Sequence, residues 1–518
     1  MTSARIYDEL RKLLGPGLVS SDAQNLVSYS SDMLPKNQIL KLSGKLPTTQ
    51  PLAVCFPESL ADVRRVMEFA YAERLPVTPY GGGSGVCGSA IPVEGGIVMD
   101  LKRLDKVLDL DGDNLTVTLE PGVLGERLEE YLNFYGYTLG HFPSSIACST
   151  AGGYVACRSA GQYSSRYGKI EDLTLGLEVV LANGEVVKFG ILGDGHPGEP
   201  MMAVQLGAEG TLGVVTRICF RVEPLPETVD FRGFAFPEVE DGVQFMRNVM
   251  QHPLRPTVLR LYDPLDSLIA GFHSKTSSGE DIHKAVARLG GVKRTIAQVF
   301  TELNDKGLSA LLYRPAMVNR IAEILPTKPL LIVGVQGDKA TVSRQWDSVK
   351  KIATRQRGED LGPEPGHSWF KRRYAVSYKQ AKIFSAGAFV DTMEVASTWD
   401  NLLPIYRAVL KSMGKHVFIM AHFSHAYVEG CSIYFTFAGY RPTGRGADNA
   451  YKRAWKEGLG AVMRYGGTIS HHHSVGILKK WAMSKENPGG EELFAAFKAV
   501  LDERNTMNPG KLYNHGLP

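Results

Sequence analysis

The 518-residue chain lacks the marks of several functional classes. Its six cysteines, Cys55, Cys87, Cys148, Cys157, Cys219 and Cys431, lie far apart, with no Cys-x-x-Cys pair. That excludes a zinc ribbon and a disulfide scaffold, and it suits a reducing cytoplasm. No uninterrupted apolar run reaches the ~18–20 residues of a membrane span. The start, MTSARIYDELRKLLGPG, has no apolar signal-peptide core, and the end, NHGLP, is not a peroxisomal address. The net charge is only +4, and no basic run is interleaved with aromatics, so nucleic acid is not an expected partner. There is no internal repeat and no low-complexity segment. The expectation is a cytoplasmic protein acting on a small-molecule or lipid substrate. Peripheral membrane contact and a homodimer stay open.

What is present is an ordinary globular composition, 44% hydrophobic and 22% charged, long enough for roughly two to four domains. In SLADVRRVMEFAYAERLPVTPYGGGSG, Ser59 can cap a helix whose apolar residues Leu60, Val63, Val66, Met67 and Ala70 recur at three- and four-residue spacing. Leu75 to Tyr80 then reads as a short strand, and a glycine loop follows. LGLEVVLANGEVVKFG predicts a hairpin with Asn183-Gly184 as a type I′ turn. Strands and helices mix without a strict βαβ beat, which points to an α+β fold. Two prolines in EPLPETVD, Glu223 to Asp230, mark a domain boundary. From about Gly444 the chain reads as mainly helical.

Glycine concentrates where a strand ends, in PYGGGSGVCGSA (Pro79 to Ala90). Glycine reaches positive φ and leaves room for successive N–H groups to converge on an anion such as a pyrophosphate. A flexible loop is the plain alternative. The loop is not a Walker loop, because no Gly-Lys-Ser/Thr follows, and no long helix opens at its glycines as in a dinucleotide fingerprint. Two further stretches bear on it. GHFPSSIACSTAGGYVACRSAGQYSSRYGKIEDL (Gly140 to Leu173) is rich in small residues that let backbone approach a flat ligand. GAEGTLGVVT (Gly207 to Thr216) is another glycine turn entering a strand.

In this order and spacing, the three stretches are similar to the flavin-binding half of the vanillyl-alcohol oxidase superfamily, the p-cresol-methylhydroxylase-type FAD domain. The resemblance implies FAD held by Pro79, Tyr80, Gly81, Gly82, Gly83, Ser84, Gly85 and Gly88 in the first loop. In the second stretch it implies Ser144, Ser145, Ser149, Thr150, Gly152, Gly153, Cys157, Arg158, Ser159 and Ala160. In the third it implies Glu209, Gly210, Thr211, Leu212, Gly213, Val214 and Val215. Some members attach FAD to a first-loop histidine. Ser84 stands in that neighbourhood here, so non-covalent FAD is expected. The expected division is a helical segment at 1–50, the FAD domain at 51–225, a substrate cap at 226–443, and a helical segment closing on the flavin at 444–518.

The second half departs from the FAD-linked D-2-hydroxyacid dehydrogenases. Those carry a metal-binding run resembling Gly-His-x-Gly-Asp-Gly-Asn-x-His and a Gly-Glu-His-Gly-x-Gly run. Here the corresponding stretches read MAHFSHAYVEGCSIYFTFAGYR (Met420 to Arg441) and TISHHHSVGILKKW (Thr468 to Trp481). Both resemble the alkylglycerone-phosphate synthase family of ether-lipid synthesis. That resemblance implies a reaction without net redox, in which flavin N5 captures C1 of an acyl-dihydroxyacetone phosphate and a fatty alcohol replaces the acyl group. It places the catalytic tyrosine at Tyr434, the histidine triplet at His471, His472 and His473, and an arginine at Arg260. It aligns a phosphate-binding arginine with Gln380, a neutral amide. Lys379, Lys382, Arg372 or Arg373 stand nearby as alternative cations, and His422 and His425 as further substrate contacts. A tyrosine is a poor base near neutral pH unless a cation lowers its pKa, and the histidine cluster is a candidate for that cation.

Plainer readings stand beside these. Consecutive histidines cannot share one face of a helix or strand, so no metal site is expected. Tyr434 alone could be a core aromatic of the alternating run SIYFTF. Arg260 alone could be a salt-bridge residue, and His422 and His425 satisfied structural histidines. Asn508 to Lys511 reads as a turn that closes the C-terminus on the flavin domain. The rival activity is a FAD-linked dehydrogenase of a 2-hydroxy acid or alcohol, passing electrons to a quinone or protein acceptor.

Overall fold

The computed structural model describes residues 2–193, 200–267, 309, 312–323, 327–375 and 381–513, apart from 43, 46 and 48. The fold is α+β. Its first sheet contains one βαβ unit. Ala53–Cys55 leads through the helix Leu60–Ala72 to the parallel strand Val77–Tyr80, with Ile97–Asp100 between them. The helix starts where the sequence indicates, because the Ser59 hydroxyl accepts the Asp62 N–H at 3.2 Å. Its buried residues Val63, Val66, Met67 and Ala70 pack on these strands.

A five-stranded antiparallel sheet follows, in the spatial order Val107–Asp111, Thr116–Leu119, Val214–Arg221, Thr174–Val180, Val186–Gly190. The last two strands form the expected hairpin, but its turn is not type I′. Only Gly184 has positive φ, +87°, and Asn183 does not. The Gly184 N–H donates to the Leu181 carbonyl at 3.0 Å, so the glycine follows a turn rather than forming its centre.

The second half is built on a seven-stranded antiparallel sheet. Its spatial order is Glu359–Asp360, Thr228–Ala235, Leu330–Gly337, Val258–Tyr262, Phe418–Ala426, Gly430–Gly439, Phe389–Thr398. Period-2 alternation gives it two different faces. Ile433, Phe435 and Phe437 join Leu261, Val333, Ala421, Phe423, Met393 and Val395 in the main core. The helices Val239–Gln251, Lys339–Arg355, Trp399–Met413 and Gly444–Arg464 cover that face. The opposite face turns toward the flavin half, where Val258 packs with Tyr163 and Tyr167.

The C-terminal stretch divides in space. Tyr451, Trp455, Leu459 and Val462 of the helix Gly444–Arg464 belong to the cap core. The return to the flavin half is made further on. Met507 forms a parallel bridge with Val77, and the Asn508 side chain donates to the carbonyls of Ser89 and Glu209 at 2.9 and 2.7 Å. No helix among the described residues is long and apolar enough to cross a membrane.

Candidate active site

The three glycine-rich stretches meet. A Cβ on Gly82 would lie 1.9 Å from the Cys148 carbonyl oxygen, and one on Gly81 would lie 2.4 Å from the Thr150 hydroxyl. Gly83 (φ +63°) and Gly210 (φ +70°) adopt backbone that L side chains rarely take, and Gly210 backs onto Pro79. Thr150 caps the helix Ala151–Cys157 through the Gly153 N–H, and Arg158 ends it in the left-handed region. Buried polar atoms without protein partners cluster around these loops: Asp32 Oδ2, His141 Nδ1, Gln162 Oε1 and Asn508 Oδ1. A side-chain-free cradle ringed by unpaired polar atoms fits a nucleotide cofactor. The other expected contacts sit in supporting positions. Ser149 donates to the Ser145 carbonyl, Gln162 donates to Ser144, and Ser159 shares a 2.8 Å hydrogen bond with His141. Arg158 pairs with Glu171 at 3.0 Å. Gly88 has φ +82°, Gly152 backs onto Pro121, and Ala160, Thr211, Leu212 and Val214 are buried. Gly213 and Val215 lie at the start of the strand Val214–Arg221.

The second cluster is a row across the large sheet. Strand register sets Tyr262 opposite His422, His422 opposite Tyr434, and Tyr434 opposite Glu394. All four therefore project from the face opposite the core, so Tyr434 is not a core aromatic. The His422 ring stacks on Tyr434, with centroids 4.8 Å apart and planes 19° from parallel. His422 also holds Arg260 Nη2 at 2.7 Å and Asp266 Oδ2 at 3.1 Å. His425 reaches the site by a different device. The ladder shifts register between Ser424 and Ala426, and His425 has φ +52°. This bulge re-aims its side chain, which bonds Ser164 of the flavin half at 2.7 Å.

The histidine triplet lies in a loop. Its three consecutive N–H groups converge on Glu394, a fully buried carboxylate of the neighbouring strand, at 2.8–3.3 Å. A loop frees the side chains from helix and strand periodicity, and they divide. His473 meets Tyr434 edge-on at 5.1 Å and His472 lies 6.4 Å from it. His471 turns toward His425 and Tyr427. Ligand atoms of Glu394, His471 and His472 lie within 4.8 Å of one another. Both Glu394 oxygens are already taken by main-chain amides, however, and Lys479 Nζ lies 3.9 Å away. The amide contacts clamp the loop to the neighbouring strand. At the loop's other end the buried Glu209 accepts the N–H groups of Val475 and Gly476 at 2.7 and 2.9 Å, and Ser89 donates to it.

The protonation states correct one expectation. Burial pushes His472 down to about 3 and drives His422, His425, His471 and His473 well below 6.5. These rings are neutral, so they supply no cation to Tyr434. Burial raises Tyr434 to about 12, opposed by a hydrogen bond with Thr392 and by the positive charge of Arg260. Arg260, not an imidazolium, is the cation that favours the phenolate.

A family profile described as FAD binding domain matches residues 51–190, and one described as FAD linked oxidases, C-terminal domain, matches residues 225–512. The chain belongs to the FAD-linked oxidase family. FAD is the cofactor of this FAD-linked enzyme, and the glycine cradle is where the residues fit it. The chain is similar to the alkyldihydroxyacetonephosphate synthase of Trypanosoma brucei brucei, 28% identical over 98% of this chain and 80% of that one. It is also similar to the glycolate oxidase subunit GlcD of Bacillus subtilis (strain 168), 25% identical over 99% and 97%. Among solved structures, an alkyldihydroxyacetonephosphate synthase superposes with TM-score 0.75 at 25% identity, covering 98% of this chain and 85% of that one. A substrate-bound p-cresol methylhydroxylase gives 0.71 at 17% identity, covering 98% and 96%.

Several residues of this site carry no signal in the linear sequence. Glu394 and Thr392 sit in an apolar-looking strand, MEVAST and its approach. Asp266 belongs to no motif, and Lys479 falls in the stretch Thr468 to Trp481 with no role that the sequence assigns it. Only strand register and burial bring them in. Lys379 and Gln380, and with them the question of the missing arginine, lie outside the described residues. Arg372 and Arg373 are described. Arg373 packs on Phe370 and Tyr374 with ring distances of 3.9 and 4.3 Å, and Arg372 is bonded to Ser368.

Proposed function

We propose that this protein exchanges the acyl group of an acyl-dihydroxyacetone phosphate for a fatty alcohol, with FAD held non-covalently. The observation that carries the reading is Tyr434, stacked on the neutral His422 and edged by the neutral His473, with Arg260 as the nearby cation. Similarity to alkyldihydroxyacetonephosphate synthases along nearly the whole chain supports it. In the net reaction, the bond from C1 to the acyl oxygen breaks and a bond from C1 to the alcohol oxygen forms. The alcohol's proton leaves with the fatty acid, and no electrons are gained or lost overall.

FAD, when bound, would supply an electrophilic flavin nitrogen to the substrate. Tyr434 takes and returns the C1 proton, with Arg260 favouring the phenolate. His471 and His472 share a 3.0 Å contact between Nδ1 atoms, so one ring donates there and the other accepts. Glu394 and Glu209 hold the loop that carries these rings.

The dehydrogenase reading draws on the similarity to a glycolate oxidase subunit and on the neutral Gln380. One anaerobic comparison separates the two. Release of fatty acid from an acyl-dihydroxyacetone phosphate plus fatty alcohol, without an electron acceptor, is the expected result. Bleaching of the oxidised flavin by D-lactate, glycolate or D-2-hydroxyglutarate, with no fatty acid released, would replace this reading. Flavin that stays with acid-precipitated protein would overturn the non-covalent assignment.

A further inference from the structure

Arg260, His422 and Asp266 are joined end to end. A guanidinium can only donate, so His422 Nε2 accepts from Arg260 and Nδ1 carries the proton it gives to Asp266. His422 is thus fixed in one neutral tautomer. It cannot act as a proton carrier while both partners hold it. Arg260 itself is incompletely used. Its Nε is buried without a partner, and its guanidinium lies 5.2 Å from the Tyr262 ring centroid.

We infer that Asp266, acting through His422, controls how strongly Arg260 holds an anionic oxygen group of the substrate. The inference rests on the proposed function for the identity of that group. The substrate's phosphate and the departing carboxylate share the required chemistry. Asp266 is a positioning residue in this scheme. Its charge offsets that of Arg260 across the imidazole, and its loss leaves the guanidinium's charge free for the ligand.

Burial raises Asp266 to about 7, with Arg260 pulling the other way. The carboxyl therefore changes charge near neutral pH. The other groups facing this unit are Asp263, whose Oδ1 accepts the Asp266 N–H at 2.8 Å, Tyr262, Tyr434, and His425 one bulge along the strand. Asp263 is turned the other way, accepting from the Ala421 N–H and the Tyr406 hydroxyl. Tyr434 has Asp391 and Glu394 within electrostatic reach on the far side, and Arg372 is the next cation, near Tyr262.

Sulfate is a suitable probe because it keeps its charge across this range. Binding is read by calorimetry on the FAD-loaded full chain, with Arg260→Met as the blank that isolates the site. The wild type is expected to bind sulfate about tenfold more tightly at pH 6 than at pH 8. Asp266→Asn keeps an acceptor for His422 and should bind tightly at both. His422→Gln, whose amide can make the same two hydrogen bonds, should keep the wild-type pH dependence, and His422→Ala should lose it. Displacement of sulfate by dihydroxyacetone phosphate marks the phosphate as the group held, and displacement by octanoate marks the carboxylate. A pH-independent wild type, an Asp266→Asn variant that matches it, equal behaviour of the two His422 variants, or displacement by neither competitor would overturn the inference. None of these readouts requires turnover, so they stand apart from the test of the reaction itself.

Discussion

Glu394 and Glu209 grip the two ends of one loop, the first from the cap sheet and the second from the flavin half. Both are buried, and both accept consecutive main-chain amides. Their charge states differ. Burial alone would raise both. At Glu394 burial is outweighed, first by the charge of the fully buried Lys479 and then by His473, His471 and the His472 amide, and the carboxyl lies below its usual range. At Glu209 burial prevails, and the carboxyl is pushed up despite Ser89 and two amides. Lys479 lies 3.9 Å from Glu394 and is the strongest influence lowering it, whereas the buried Lys511 pulls on Glu209 more weakly than Ser89 and the two amides do. One end of the histidine loop is anchored by a paired charge, and the other by hydrogen bonds to a carboxyl that burial makes harder to ionise.

The comparison breaks most visibly at Glu394. Glu394→Gln leaves Lys479 buried without its counter-ion, and urea unfolding should show a loss of about 3–5 kcal/mol. Adding Lys479→Met should recover about 1 kcal/mol or more relative to the sum of the single losses. Strict additivity would show that the two groups do not act as a pair.

Acid should act on the same region. The five histidines of the site have folded pKa values below the unfolded 6.5. As pH falls below 6.5 the unfolded chain takes up protons that the folded chain does not, so stability is lost in that direction. The loss is about 2 kcal/mol per ring at pH 5. His473→Asn should therefore lose less stability than the wild type between pH 7 and pH 5 in paired denaturation curves. An equal loss would show that His473 is protonated in the fold.

Glu209→Gln should have the smallest effect, about 1–2 kcal/mol, because the buried Lys511 that feels its charge also donates to the Ile91 carbonyl and has Asp32 within electrostatic reach. Its signature should be partial loss of FAD on gel filtration, since Glu209 joins Ser89, Val475 and Gly476 across the cofactor loops. Full retention of FAD with unchanged stability would remove Glu209 from the clamp.

The flavin half was largely legible because backbone requirements determine it. A run such as Gly81 to Gly85 is conspicuous in sequence, and its reason, close approach with no side chain, is the one the structure shows. The Ser59 cap and the helix after it were equally local. The substrate site was legible only where a motif stood out, at Tyr434 and the histidine triplet. Its organisation depends on which strands lie side by side. Tyr262, His422, Tyr434 and Glu394 are neighbours only because four strands from three separate stretches share a register. Glu394 gave no sign of itself, since MEVAST reads as an ordinary buried strand. The state of the histidines was also hidden, because burial decides it and burial is not written in the triplet.

If Tyr434 carries an acyl-for-alkyl exchange, Tyr434→Phe removes the group that performs it. The substitution keeps the ring on His422 and removes only the hydroxyl. Ether formation from acyl-dihydroxyacetone phosphate and a fatty alcohol, measured at equal FAD content, should fall by about a hundredfold or more. Full turnover by Tyr434→Phe would contradict that role.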